Sequence, residues 1–89
     1  MLPPATASTL TIRVLLFASY ADRLGRDALD LSLEAPARVG DALDRLRSLP
    51  GAEILPARPM CAVNLAQAAP DDLLSDGDEV AILPPVSGG

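Results

Sequence analysis

Leu10, Ile12, Val14 and Leu16 alternate with Thr11, Arg13 and Leu15 near the start of the chain. A period of two belongs to a strand that lays one face on a core, so residues 10–18 read as a strand. Its second face begins polar, at Thr11 and Arg13, and turns apolar at Leu15 and Phe17. That end is either buried as well or left open as a patch for a partner, and the pattern fits both. A second alternation, residues 28–33, sets Leu29, Leu31 and Leu33 against Asp30, Ser32 and the following Glu34. The period then changes. Val39, Ala42, Leu43, Leu46 and Leu49 recur at spacings of three and four, which places the main helix over residues 38–49. Asp41 and Asp44 near its start and Arg45 and Arg47 near its end suit the helix dipole, and Pro50-Gly51 closes it.

The remaining segments are shorter. Residues 19–24 predict a brief helix stopped by Gly25. Residues 52–58 read as irregular, with Pro56 and Pro59 excluding a long helix. Residues 60–65 read as a third strand with Cys61, Val63 and Leu65 on one side, and residues 71–74 as a short helical turn. Ser75-Asp76-Gly77-Asp78 is a strong turn signal. Residues 79–83 form a last strand, cut off by Pro84-Pro85 because proline cannot donate to a ladder. The chain thus divides into a loose leader (1–9), one domain (10–83) and a tail (84–89). At 89 residues it can build one core and not two.

Composition removes most chemistries. The net charge is −5, with no basic patch for a nucleic acid; an acidic surface suits a basic protein partner or plain solubility. All seven basic residues are arginine, so no ε-amine is present to accept the tail in self-conjugation. No histidine is present to activate a serine or Cys61, which reads as a small buried hydrophobe. Asp71-Asp72 and Asp76, Asp78 and Glu79 lack calcium-loop spacing, and turn formation and solvation explain them better. A lone cysteine fits a reducing cytoplasm. No apolar stretch approaches the roughly 20 residues of a membrane helix, and no cofactor site is expected.

What remains is Pro84-Pro85-Val86-Ser87-Gly88-Gly89. Two prolines stiffen the root of this tail in extended form, and six residues reach at most about 20 Å. Gly88 and Gly89 lack a Cβ and can thread a slot closed to other residues. A terminal carboxylate is ionised and a poor electrophile; joined to AMP it becomes a mixed anhydride that a sulfur nucleophile can open.

Val14-Leu15-Leu16-Phe17-Ala18 with Leu24-Gly25, then Ala62-Val63-Asn64, then Leu74-Ser75-Asp76-Gly77-Asp78-Glu79-Val80 running on to Gly89 are the segments that carry a family likeness. With them the chain resembles the ubiquitin-like sulfur carriers, in particular the small subunit of molybdopterin synthase. The resemblance implies an α+β, ubiquitin-like β-grasp fold, a mixed four- to five-stranded sheet packed on one main helix. It implies that an ATP-dependent activating enzyme forms a glycyl-adenylate at Gly89 and that a sulfurtransferase system turns it into a thiocarboxylate (1-thioglycine). The sulfur would pass to cyclic pyranopterin phosphate within the large subunit, in an assembly of two small and two large subunits. The docking surface maps onto Phe17 and Leu83, and the inserted tail onto Pro84, Pro85, Val86, Ser87 and Gly88. This favours a partner patch for Phe17. Related carriers for thiazole, tRNA thiolation or cysteine synthesis, and ubiquitin-like modifiers of lysine, are the alternatives. Arg38 stands where the family often has Thr or Ser as a helix cap, so that helix start is expected to be frayed or held by another group.

Overall fold

The computed structural model describes residues 9–84; the leader before Thr9, and Pro85, Val86, Ser87, Gly88 and Gly89, lie outside the described residues. The elements in order are β1 (Thr9–Leu16), α1 (Ala18–Leu24), β2 (Ala28–Glu34), α2 (Val39–Arg47), a 3-10 turn (Ala52–Ile54), β3 (Met60–Val63), β4 (Ala66–Ala68) and β5 (Glu79–Leu83). The five strands form one sheet in the order β2-β1-β5-β3-β4. β1 and β5 run parallel and every other pair is antiparallel. This is the mixed sheet of the expected α+β class.

The period-two residues of β1 do what their spacing dictates. Leu10, Ile12, Val14 and Leu16 are buried, together with Leu31 and Leu33 of β2 and Val80 and Ile82 of β5. Val39, Ala42, Leu43 and Leu46 of α2 are buried in the same cluster, so one helix stripe closes one face of the sheet. Each of the leucine, isoleucine and valine side chains among them contributes roughly 1.5–3 kcal/mol by leaving water. Cys61 lies in this core, 3 % exposed, and burial pushes its thiol upward from the ordinary value. Gly25 ends α1 in the left-handed conformation at φ 76°, as the sequence predicts.

Two of the expected elements differ. The third strand stops at Val63, because Asn64 and Leu65 both take positive φ (49° and 73°) and turn the chain into a tight hairpin with β4. Leu65 therefore does not join Cys61 and Val63; it stands 94 % exposed at the hairpin tip. Residues 71–74 make no helix: Leu73 bridges Arg38 instead, and the Leu74 N–H donates to the Ala37 carbonyl at 2.8 Å. That segment also explains how α2 starts without a Ser or Thr cap. The Val39 and Gly40 N–H groups donate to the Asp72 and Pro70 carbonyls, each at 2.9 Å, and the Asp41 carboxylate accepts from the Arg38 N–H at 2.8 Å. Arg38 itself donates from Nη1 to the Asp71 carbonyl. The orphan donors of the first turn are thus satisfied by a neighbouring loop.

The irregular stretch after α2 holds a single 3-10 turn over Ala52–Ile54, with Ala52 buried. The Arg47 guanidinium fixes the residues beyond it by donating to the Pro56 and Ala57 carbonyls at 2.8 and 3.0 Å. This loop delivers the chain to Met60 and β3.

Candidate partner-docking face and the exit of the last strand

The sheet has two faces and α2 covers one. The register lays out the other. Leu15 pairs with Ala28 on one side and Ala81 on the other, and Ala81 pairs with Ala62. One row further, Leu83 pairs with Met60. Phe17 lies two residues beyond Leu15 in an extended backbone (φ −130°, ψ 155°), so it continues the same face. Phe17 and Met60 are 42 % and 46 % exposed, and Leu15, Ala62, Ala81 and Leu83 are half-buried. Leu15, Phe17, Asp27 and Ala28 line a shallow hollow at its margin.

In the opposite direction the face turns polar. Arg13 has Asp30 and Glu79 as its cross-strand neighbours, and Thr11 faces Ser32. The apolar end is therefore a bounded patch with a charged border, the composition of a contact surface core and rim. It lies beside the point where β5 ends and Pro84 begins, so whatever sits on the patch also sits at the root of the tail.

The structure thus puts both residues of the expected docking surface, Phe17 and Leu83, on one face, and adds Met60 and Ala81, which sequence reasoning missed. Parity would have found Met60. It precedes the buried Cys61 in a strand, and its side chain must point the other way. Leu15, open to two readings in the sequence, is half-buried on the outer face. Pro84 is half-buried where β5 ends.

The motif segments 62–64 and 74–80 meet in one hydrogen-bonded clamp that sets where β5 begins. The Asn64 side chain donates from Nδ2 to Asp78 Oδ1 at 2.9 Å and accepts at Oδ1 from the Glu79 N–H at 3.0 Å. Its own N–H donates to the Glu79 carbonyl at 2.8 Å. Asp78 also accepts at Oδ2 from the Ser75 N–H at 2.7 Å, and Asp76 accepts from the Thr11 N–H at 2.7 Å. Gly77 donates to the Thr11 carbonyl at 2.8 Å. Asp76 and Asp78 are thus spent on backbone donors and the Asn64 amide, and among the described residues no cluster of three or more His, Cys, Asp or Glu is placed to hold a metal ion. No helix among them is long and apolar enough to cross a membrane.

The family pattern described as the ThiS family matches residues 14–89, which spans the patch, the clamp and the tail. The chain belongs to the ThiS family. Within it, the molybdopterin synthase sulfur carrier subunit of Escherichia coli (strain K12) is 33 % identical over 85 residues, covering 88 % of this chain and 99 % of that protein. The crystal structure of SAMP1 from Haloferax volcanii superposes with a TM-score of 0.77 at 32 % identity, covering 89 % of this chain and 99 % of that one. A complex of subunits 1 and 2 of the molybdopterin-converting factor from Helicobacter pylori 26695 matches at a TM-score of 0.63 and 21 % identity, over 90 % and 100 % of the two chains. That last likeness bears on the fold alone. The expected ubiquitin-like β-grasp is the fold, and this ThiS-family chain is a homologue of the small subunit of molybdopterin synthase.

Proposed function

We propose that the chain is the sulfur carrier of a molybdopterin synthase, acting through Gly89. The Gly89 carboxylate attacks the α-phosphorus of ATP on an activating enzyme and displaces pyrophosphate. A sulfur nucleophile from a sulfurtransferase then replaces AMP at the acyl carbon and leaves a thiocarboxylate. Inside the large subunit that sulfur passes to cyclic pyranopterin phosphate on the way to the dithiolene of molybdopterin. The chain holds no cofactor and does no catalysis alone. Its work is to be recognised and to reach. The patch of Phe17, Met60, Ala81 and Leu83 takes the large subunit in a two-plus-two assembly, and residues 84–88 carry Gly89 into the active site. The setting is the cytoplasm, consistent with a single buried thiol.

The observation that carries this reading is the 33 % identity to the Escherichia coli sulfur carrier subunit over nearly the whole of both chains. The likeness to SAMP1, called a small archaeal modifier protein, supports a second reading, attachment of Gly89 to lysines of other proteins. One experiment separates them. The chain bearing a Gly89 thiocarboxylate is mixed with a molybdopterin synthase large subunit and cyclic pyranopterin phosphate, and molybdopterin is read as its fluorescent oxidation product. Product that depends on the thiocarboxylate is the expected result. A loaded chain that yields none refutes this pathway, and Gly89 found in isopeptide linkage on cell proteins establishes the second reading.

A further inference from the structure

An activated carboxyl is dangerous to the protein that carries it. An acyl-adenylate or thioester is opened by any good nucleophile, and another copy of the same chain is one surface that can supply it. The side chains able to attack are the lysine amine, the cysteine thiolate, the histidine imidazole and, more weakly, the tyrosine phenolate.

This chain withholds all four. It has no lysine and no histidine, and its seven cations are arginines. All seven lie exposed; Arg38, Arg45 and Arg47 also donate to backbone carbonyls. A guanidinium keeps its proton at every physiological pH and offers no lone pair for acyl transfer. The one cysteine and the one tyrosine, Cys61 and Tyr20, are 3 % and 2 % exposed and belong to the core. Desolvation pushes both upward from their ordinary values, with the neighbouring Cys61 adding to the rise at Tyr20, so both stay protonated as well as enclosed. Hydroxyls and carboxylates remain at the surface; the former need a base that is missing here, and the latter are weak nucleophiles whose acyl products are themselves labile. The only amine in these 89 residues is the α-amino group of Met1.

We infer that the side chains of the folded protein are closed to acylation: no side chain of one copy takes up the group that another copy carries, so copies cannot branch from one another and the α-amine is the single acceptor left. The step being excluded is attack of a side-chain nitrogen or sulfur on the Gly89 carbonyl carbon, with the C–O bond to AMP or the C–S bond of a thioester breaking and the amine or thiol proton leaving with the displaced group. The biological meaning rests on the carrier reading above. The surface property does not, and is measured without any activating enzyme.

The test treats the native full-length chain with excess N-hydroxysuccinimidyl acetate and counts acetyl groups by intact mass, with the sites mapped by peptide sequencing. One acetyl per chain is expected, on Met1. The same reagent applied in denaturant should add groups at Cys61 and Tyr20, which shows that enclosure protects them. Arg26→Lys, at an exposed loop position, should gain a second acetyl while still folded. Stable acetylation of any side chain of the native protein at a rate comparable to that of the amine introduced by Arg26→Lys would overturn the inference. So would native Cys61 alkylated by iodoacetamide as fast as in denaturant. Failure to make molybdopterin would instead sink the pathway and leave this count untouched.

Discussion

Asn64 offers the sharpest check on how the start of β5 is held. Replacing it with alanine removes two side-chain hydrogen bonds, one to the Asp78 carboxylate at 2.9 Å and one from the Glu79 N–H at 3.0 Å. A bond to a charged partner is worth about 1.5 kcal/mol and a neutral one about 1 kcal/mol at most in so exposed a setting. Asn64 also sits at φ 49°, where a residue with a Cβ and no local polar compensation loses about 1 kcal/mol. Asn64→Ala should therefore cost about 2–3 kcal/mol. Asn64→Gly loses the same two bonds but tolerates positive φ, so it should recover about 1 kcal/mol of that loss. With a urea slope of about 1–1.5 kcal/mol/M for a domain of this size, the alanine variant's midpoint should fall by about 2 M, with glycine between alanine and the parent. The chain has no tryptophan, so unfolding is followed by far-ultraviolet circular dichroism. An alanine variant within about 0.5 kcal/mol of the parent, a difference too small for two made hydrogen bonds, would refute the clamp. A glycine variant no better than alanine would refute the strain component.

Phe17→Asp and Met60→Asp should each weaken binding to the large subunit by tenfold or more, about 1.4 kcal/mol, because a carboxylate must lose its water in an apolar contact; titration calorimetry that finds unchanged affinity moves the patch elsewhere. Gly51→Ala should destabilise by about 3 kcal/mol or more, since Gly51 sits at φ 89° and a Cβ there would collide with the Arg23 carbonyl oxygen. Gly25→Ala, with similar φ and open space around it, should cost only about 1 kcal/mol, and equal losses in urea melts would remove the steric argument. Stability should be flat with respect to Cys61 and Tyr20 at neutral pH and fall above about pH 9. The unfolded chain ionises there near 9.0 and 10.0 while the folded groups, raised by burial, hold their protons. A urea midpoint that climbs between pH 8.5 and 10.5 contradicts that sign.

Much of this architecture is legible in the sequence because burial enforces period. Leu10, Ile12, Val14 and Leu16 had one way to sit on a core, and Val39, Ala42, Leu43 and Leu46 another. What escaped was governed by pairing between segments distant in sequence. Ala66–Ala68 carries no β-branched or aromatic residue, and it is a strand only because Asn64 and Leu65 reverse the chain beside β3. The acidic run at residues 71–74 looks like a helix turn locally, yet its backbone serves the bare N-terminus of α2. Met60 faces away from the core by the parity of β3, which the sequence does carry, but its place beside Leu83 comes from the register with β5. Phe17 and Leu83 were found through family likeness, and the structure places them on a common face.

The sheet order β2-β1-β5-β3-β4 puts the last strand of the described residues at the centre of the sheet. Ala81 and Leu83, half of the apolar patch, are in place only when β5 is paired with both β1 and β3. A ribosome-bound or truncated chain cannot display this surface, because its middle column is missing. Under the proposed carrier role, recognition of the patch by a partner is then also an inspection of completeness: the sign that the sheet has closed and the proposed handle are the same few side chains.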